Sequence, residues 1–451
     1  MTNKKIHLIG IGGINMSAIA LLLKHDGNYV TGSDSQNSEI IDNLRNEGID
    51  ITIGLNPNNI DDIDIVIYTK AISDDNEELL RAKELNKEIY SRSEFIGKLS
   101  ESYKNVICVS GTHGKSTTTG MVSLMLLENE LNPTIMVGAK LKEINGTLHI
   151  GNKEFLILET CEYKDSFLDF KPTSIIVLNV DNDHLDYFKN IENIKKSFQK
   201  FVDLLPEKGY YTFNNDDQNT KEIITDKYSI SYGIDSAAKL CAKNISYDDL
   251  GHPIFDVYYN NEFLTNIHLN IMGTHNIYNA LASLAQAIIY NLDIQKSKNG
   301  IEKYTGVGRR FEYLGTYNNA IIIDDYAHHP TEIKATLNST KKVKHKRNIA
   351  VFQSHTYSRT KEHLNEFASI LANFDNIIIA PIYPAREENI YNIKEDDLVK
   401  LIQDKNENVI YIDSFDKIVD YLKDNIKEDD LVITIGAGPI NEIAKKIVKD
   451  N

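Results

Sequence analysis

Residues 106–119 read Val-Ile-Cys-Val-Ser-Gly-Thr-His-Gly-Lys-Ser-Thr-Thr-Thr: an apolar run, a glycine turn closing on Lys-Ser, then a helix-spaced segment from Met121 to Leu127. A strand that passes its chain to a helix through such a turn begins a βαβ unit, which confines the surrounding segment to an α/β layer architecture. The turn also has a chemical reading. Backbone N–H groups and the positive end of the helix cradle phosphate oxygens, a lysine adds a point charge, and a hydroxyl can hold Mg²⁺. Gly111, Gly114, Lys115 and Ser116 are the working residues on this reading. The loop is a shortened one, Gly-x-x-Gly-Lys-Ser, because Val109 stands where the full pattern has glycine.

A chain of 451 residues exceeds one ordinary core, and ~150 residues per domain predicts about three. A formal charge of -16 argues against a general nucleic-acid binder, since phosphate backbones reward positive surfaces. Any anionic ligand must therefore meet locally placed cations. Cys108, Cys161 and Cys241 are widely spaced, which indicates neither a disulfide framework nor a structural zinc site and fits a reducing cytoplasm. The N-terminal residues run directly into a strand-like segment without the apolar core of a signal peptide. No apolar run approaches the ~18 residues of a membrane helix, so a cytoplasmic protein without membrane contact is expected.

Ile6–Lys24 again reads strand, glycine turn, helix, and a second strand from Tyr29 ends at Asp34. The turn resembles the dinucleotide fingerprint. Asn15 takes the third glycine's place, however, which favours the diphosphate of another nucleotide over NAD. Further alternation, with a strand at Ile63–Tyr68 and a helix at Glu77–Leu85, closes a doubly wound first domain near Tyr103.

In the second block, Phe155–Leu158 runs into Glu159, and Ser174–Val180 runs into Asp181, Asp183 and His184. Ligands of parallel sheets collect at the carboxyl ends of strands, so Glu159 and His184 are expected beside the phosphate loop, holding ATP-bound Mg²⁺ and a second ion. Residues 209–270 read as short segments broken by Asn, Asp and Gly, and a mostly antiparallel insertion is expected there. A helix opens near His275, where Asn276 and Asn279 share one face and serve either as readers of a nucleotide or as caps. After a hinge at Gly306–Phe311, a third alternating block begins, and three of its strands end in His/Arg clusters suited to an anionic ligand.

The ordered motifs resemble those of the Mur ligase family over essentially the whole chain. They are Gly-Ile-Gly-Gly-x-x-Met-Ser at 10–17, Gly-Thr-His-Gly-Lys-Ser-Thr at 111–117, Glu-x-Cys-Glu at 159–162 and Asn-Val-Asp-Asn-Asp-His at 179–184. His-Asn-x-x-Asn-Ala at 275–280, Gly-Arg-Arg-Phe at 308–311, Asp-Asp-Tyr-Ala-His-His-Pro at 324–330 and His-Thr-Tyr-Ser-Arg-Thr at 355–360 follow. The resemblance implies three α/β domains: a Rossmann-like UDP-sugar domain (1–103), a central P-loop ATPase-type mixed-sheet domain (104–311), and a C-terminal Rossmann-like domain (312–451) that binds the amino acid and closes over ATP.

It further implies a ligase that joins L-alanine to the lactyl carboxylate of UDP-N-acetylmuramate through an acyl phosphate. Gly111, Thr112, His113, Gly114, Lys115, Ser116 and Thr117 would hold the ATP phosphates. Ser116 and Glu159 would hold one Mg²⁺, with His184 helping to hold a second. Asn276, Asn279 and Arg310 match ATP-site positions, joined by Asp325, Tyr326 and His329. Gly10, Gly12 and Gly13, with Ser33 and Asp34, face the UDP-sugar. His355 and Arg359 match the region that receives the L-alanine carboxylate, and Arg386 extends that cationic rim. Lys115, His184, Arg310, His355 and Arg359 are thus the expected catalytic set.

Asn15, Thr69-Lys70 and Pro439 depart from the family's common residues. The competing readings are a murein-peptide ligase or a folylpolyglutamate-type ligase of the same superfamily, an NAD-dependent dehydrogenase that leaves the phosphate loop unexplained, and a nucleotide-gated binding protein. Monomer and homodimer are both open.

Overall fold

The computed structural model describes residues 2–306, 308–385 and 387–449. Those residues build three sheets, each covered by helices. The first has β1 (Lys5–Ile9), β2 (Tyr29–Asp34), β3 (Asp50–Ile53), β4 (Ile65–Tyr68) and β5 (Glu88–Ser91) in the order β3-β2-β1-β4-β5. All four pairings are parallel. The order reverses beside β1, so the crevice past the ends of β1 and β4 is the place where a doubly wound sheet takes its ligand. The Gly10–Gly13 turn stands there.

The second sheet contains β6 (Asn105–Ser110), β7 (Thr134–Leu141), β8 (Gly146–His149), β9 (Phe155–Glu159) and β10 (Ser174–Val177). It continues with β11 (Tyr210–Asn214), β12 (Tyr228–Gly233), β13 (Leu240–Tyr247), β14 (Pro253–Tyr259) and β15 (Glu262–His268). Its order is β15-β14-β13-β12-β11-β10-β6-β9-β7-β8, which flanks β6 with β9 and β10. The register sets Val109 beside Glu159 and Ser110 beside Val177, so the phosphate loop, Glu159 and the segment after Val177 leave the sheet at one edge.

The expected antiparallel insertion is largely corrected. β10, β11, β12 and the start of β13 pair in parallel. A hairpin joins β14 to β15 through Asn260 and Asn261, both at positive φ.

Two compact units emerge: Met1–Asn244, Phe255–Ile267 and His275–Tyr304 in one, and Ile245–Ile254, His268–Thr274 and Thr305–Asn451 in the other. Within the first, a single apolar cluster runs from Ile6, Leu8 and Ile19 through Phe95 and Ile96 to Cys108, Phe167 and Phe198. Gly97, on the helix Arg92–Ser100, lies so near the chain at Asp169 that an added Cβ would fall 2.0 Å from the Asp169 carbonyl oxygen. A side chain there would drive these layers apart.

The second unit holds β16 (Glu312–Tyr317), β17 (Ala320–Asp325), β18 (Arg347–Phe352), β19 (Asn376–Ile379), β20 (Val409–Tyr411) and β21 (Asp430–Ile435). Their order is β16-β17-β21-β18-β19-β20, parallel throughout except for β16. Separate apolar clusters, one with Phe352, Phe367 and Ile433, the other with Ile322, Val351 and Ile443, accompany the near-continuous Ile/Val/Leu runs of strands buried on both faces.

Candidate functional site

The phosphate loop forms where the sequence places it. Gly114 has φ +87° and caps the helix Lys115–Glu128, and a Cβ there would stand 2.6 Å from Asn279 Oδ1. Only glycine meets both demands. Asn179, just past β10, pins the loop: its carbonyl accepts from Thr112 N (3.1 Å), its Oδ1 from His113 N (2.7 Å), and its Nδ2 donates to the His113 carbonyl (3.0 Å). The Thr112 hydroxyl accepts from Asp181 N at 2.9 Å. Thr117 lies in the first turn of the same helix, part-buried.

Two acid groups face this loop. Ser116 Oγ donates to Glu159 Oε1 at 3.0 Å, and Glu159 Oε2 accepts from Gly138 N at 2.8 Å. Lys115 Nζ donates to the carbonyls of Gly111 (2.5 Å) and Thr112 (3.0 Å) and lies 3.5 Å from Glu162 Oε2. Glu162 is 2% exposed, and neither of its carboxylate oxygens accepts a hydrogen bond among the described residues. It also groups with Asp183 and His184, the three offering ligand atoms within 4.8 Å of one another. His184 has φ +52°, and its ring packs 4.6 Å from Tyr163. Ser116 and Glu159 are thus brought together as expected, whereas His184 groups with Glu162 and Asp183.

Asn276 and Asn279 are both buried on the helix His275–Ile289, and Asn279 Nδ2 donates to Asn276 Oδ1 at 2.8 Å while Asn279 Oδ1 accepts from Thr118 Oγ1 at 3.2 Å. Capping is excluded for this pair, since both residues lie inside the helix. Asn279 borders a cleft of about 140 Å³ with His113, Gly114, Asn214, His275 and Tyr278. Tyr278 donates to Asp216 (3.0 Å), whose carboxylate also accepts from the N–H groups of Ile234, Asp235 and Ser236. Burial raises the Asp216 pKa, but these hydrogen bonds outweigh it and hold the group below the usual carboxylate range.

A second cleft, about 90 Å³, joins Asn15 on the first glycine turn to Arg92, Gly138, Glu159 and Cys161. Burial lowers the Arg92 pKa, and burial with the Glu162 charge raises that of Cys161. Sequence reasoning missed Arg92, which follows a short strand with no motif around it. It also passed over Glu162, inside a quoted motif, and named Asp183 at a strand end without giving it a ligand role.

In the first turn, Gly10 (φ +78°) and Ile11 donate their N–H groups to the Ser33 carbonyl, and Gly13 precedes the helix Ile14–His25. Asp34 Oδ2 accepts from Gly12 N at 2.9 Å. Ser33 corrects its assignment. The residue is 1% exposed and its hydroxyl donates to the buried Glu78, so it supports the turn from beneath rather than facing a ligand.

Within the second unit, the ends of β17 and β18 converge on an imidazole cluster. His355 packs its ring 5.8 Å from His328 and 5.6 Å from Tyr383, and Arg359 Nη1 donates to His355 Nδ1 at 3.0 Å. A guanidinium only donates, so Nδ1 of His355 carries a lone pair. Burial, then the Arg359 charge, then His328, depress the His355 pKa.

Asp325 accepts from Thr336 Oγ1 (2.5 Å) and Ala327 N (3.2 Å); burial chiefly, then Asp324 and Glu332, push its pKa up to about 6. Tyr326 is exposed, and His329 caps the helix Pro330–Thr340 with its ring 4.8 Å from His363. Arg310 is exposed, while its neighbour Arg309 is tied to Asp324 (3.0 Å) and to the Gly436 carbonyl (2.6 Å). Arg386 lies outside the described residues.

Known proteins resemble this chain along its length. The family models described as "Mur ligase family, catalytic domain", "Mur ligase middle domain" and "Mur ligase, glutamate ligase domain" match residues 5–104, 109–287 and 309–438. A UDP-N-acetylmuramate–L-alanine ligase of Caldanaerobacter subterraneus is 46% identical over 99% of this chain and 98% of its own. One from Clostridium beijerinckii is 44% identical with the same coverage. The crystal structure of the UDP-N-acetylmuramate–alanine ligase from Thermotoga maritima superposes with a TM-score of 0.79 at 27% identity, covering 99% of both chains.

Proposed function

The chain belongs to the Mur ligase family, and from that premise we propose that it joins L-alanine to the lactyl carboxylate of UDP-N-acetylmuramate while ATP becomes ADP and phosphate, a step in peptidoglycan precursor synthesis. The observation that carries this reading is the full-length likeness to ligases named for that reaction, coupled to a phosphate loop whose Lys115 and Ser116 face two acids. On this reading the three functional segments are 1–103, 104–311 and 312–451. Among the described residues no helix is long and apolar enough to cross a membrane, and the cytoplasm is the proposed location.

A carboxylate is a poor electrophile. The lactyl carboxylate therefore attacks the ATP γ-phosphorus to form an acyl phosphate and ADP, and the free amine of L-alanine then displaces phosphate to form the amide. Lys115, at the helix N-terminus with the loop N–H groups, stabilises charge on the transferring group. The donors suit Mg²⁺: Ser116 and Glu159 form one hard oxygen pair, and the buried Glu162 carboxylate, without a hydrogen bond among the described residues, forms another set with Asp183 and the His184 imidazole. Bound there, the ion would neutralise phosphate charge. Asn15 and Arg92 line the cleft that runs to Glu159, a fitting place for the sugar's anionic end. Arg359, held by the neutral His355 ring, supplies the cationic group for the amino-acid carboxylate.

ADP release with UDP-N-acetylmuramate against a panel of L-alanine, L-serine, glycine and murein tripeptide tests the reading. Release that requires L-alanine supports it, and release only with tripeptide assigns the chain to peptide recycling instead. ¹⁸O placed in the sugar carboxylate must appear in the liberated phosphate; label kept wholly in the amide would sink the acyl-phosphate route.

A further inference from the structure

The second unit carries a cluster of two imidazoles and a carboxylate. The turn between β13 and β14 reads Asp248-Asp-Leu-Gly-His252, and β15 ends at His268. Because β14 neighbours both β13 and β15, and Leu269 N donates to the Pro253 carbonyl at 3.0 Å, the turn and the end of β15 lie side by side. Gly251, at φ +80°, allows the turn to fold back, with its N–H on the Asp248 carbonyl at 2.9 Å.

The carboxylate makes contacts both within the turn and beyond it. Asp248 Oδ1 accepts from Leu250 N (3.0 Å) and His252 N (2.9 Å), which fixes the group and turns Oδ2 the other way. His252 Nδ1 stands 3.1 Å and His268 Nε2 3.0 Å from that same Oδ2. Two rings from separate segments therefore each bring one nitrogen to the same carboxylate oxygen. Tetrahedral ligands of a first-row divalent ion, bound at ~2.0–2.2 Å, lie roughly 3.3–3.6 Å apart, and the three ligand atoms here lie within 4.8 Å of one another, so small ring and carboxylate shifts place them around such an ion. His252 is nearly buried while His268 is about half exposed, so an ion reaches the cluster from the His268 side.

We infer that Asp248, His252 and His268 form a binding site for a divalent transition cation of the zinc, cobalt or nickel class. Two imidazoles with one carboxylate favour that class over magnesium, which prefers an all-oxygen shell. A bound ion replaces the two imidazole protons that otherwise point at Oδ2. It staples the β13–β14 turn to the end of β15 and leaves the ligase chemistry to other residues. The inference is independent of the reaction assigned above.

Titration of the untagged full-length protein with Co²⁺ in excess Mg²⁺, followed by visible absorption and by thermal unfolding, tests the site. Parent protein and Glu162→Gln/His184→Gln are both expected to develop a cobalt band and to gain thermal stability. His268→Gln, a change on the exposed side that the fold tolerates, is expected to weaken that cobalt response at least ~10-fold, on the scale of disrupted metal-ligand support. Asp248→Asn should do the same while its circular dichroism matches the parent. A cobalt response equal in parent and His268→Gln, or lost only in Glu162→Gln/His184→Gln, overturns the assignment.

Discussion

Lys115 Nζ lies 3.5 Å from Glu162 Oε2, a carboxylate only 2% exposed and without a hydrogen bond among the described residues. Removing the ammonium strands a buried anion, which costs far more than a surface pair would. Lys115→Ala is therefore expected to lower Tm by ~5–10 °C as well as turnover by about three orders of magnitude. Adding Glu162→Gln should restore most of the Tm and none of the turnover. Calorimetry and steady-state kinetics on the three variants check it, and a Tm unchanged in Lys115→Ala would show that Glu162 is neutralised by something else.

Glu159 bridges Ser116 Oγ and Gly138 N, so its loss removes the acceptor of the hydroxyl in the first turn of the phosphate-loop helix. Glu159→Ala is expected to raise the Mg²⁺ concentration for half-maximal rate by roughly 10-fold and to weaken Mg²⁺-dependent ADP binding in calorimetry by a similar factor. If the Mg²⁺ titrations of variant and parent overlay, Glu159 holds the loop and no ion.

The loop at 111–116 was legible because a strand, a glycine and a helix start are neighbours in sequence, and Glu159 was legible because strand ends collect ligands. What escaped depends on burial or long-range pairing. Nothing local distinguishes Ser33 as facing Glu78, 45 positions away, rather than a substrate. Arg92 gains meaning only from the cleft it shares with Asn15 and Glu159. The segments after residue 209 suggest an antiparallel insertion because the crossover from β11 to β12 carries a helix of only 4 residues, Gln218–Lys221, too short to show a period.

Asp325 titrates at about 6 in the fold against an ordinary value of 3.8, chiefly because burial disfavours its charge. The folded state therefore binds the proton more tightly than the unfolded chain does. Its contribution to stability is complete below pH 3.8 and is lost as pH rises through about 6. Asn at this position keeps an acceptor for Thr336 and does not titrate. The Tm of Asp325→Asn minus that of the parent is expected to grow by about 3–5 °C between pH 4 and pH 7 and then level off. Melting curves across that range decide it; a difference that is flat, or that shrinks with rising pH, contradicts a raised pKa.

Arg359 holds His355 by one guanidinium nitrogen, Nη1 to Nδ1 at 3.0 Å. The remaining nitrogens of the planar fork can still grip a carboxylate with parallel hydrogen bonds, which a lysine point charge does not reproduce. Lysine also keeps the positive charge, so the electrostatic depression of the His355 pKa persists and the substitution isolates geometry from charge. Arg359→Lys is therefore expected to raise the KM for L-alanine at least ~10-fold, about 1.4 kcal/mol, while the KM for UDP-N-acetylmuramate changes far less. Varying each substrate in turn separates the outcomes. A defect confined to the UDP-sugar would contradict the role given to the C-terminal segment, and equal shifts in both KM values would place Arg359 in the support of the fold around His355 instead of in carboxylate recognition.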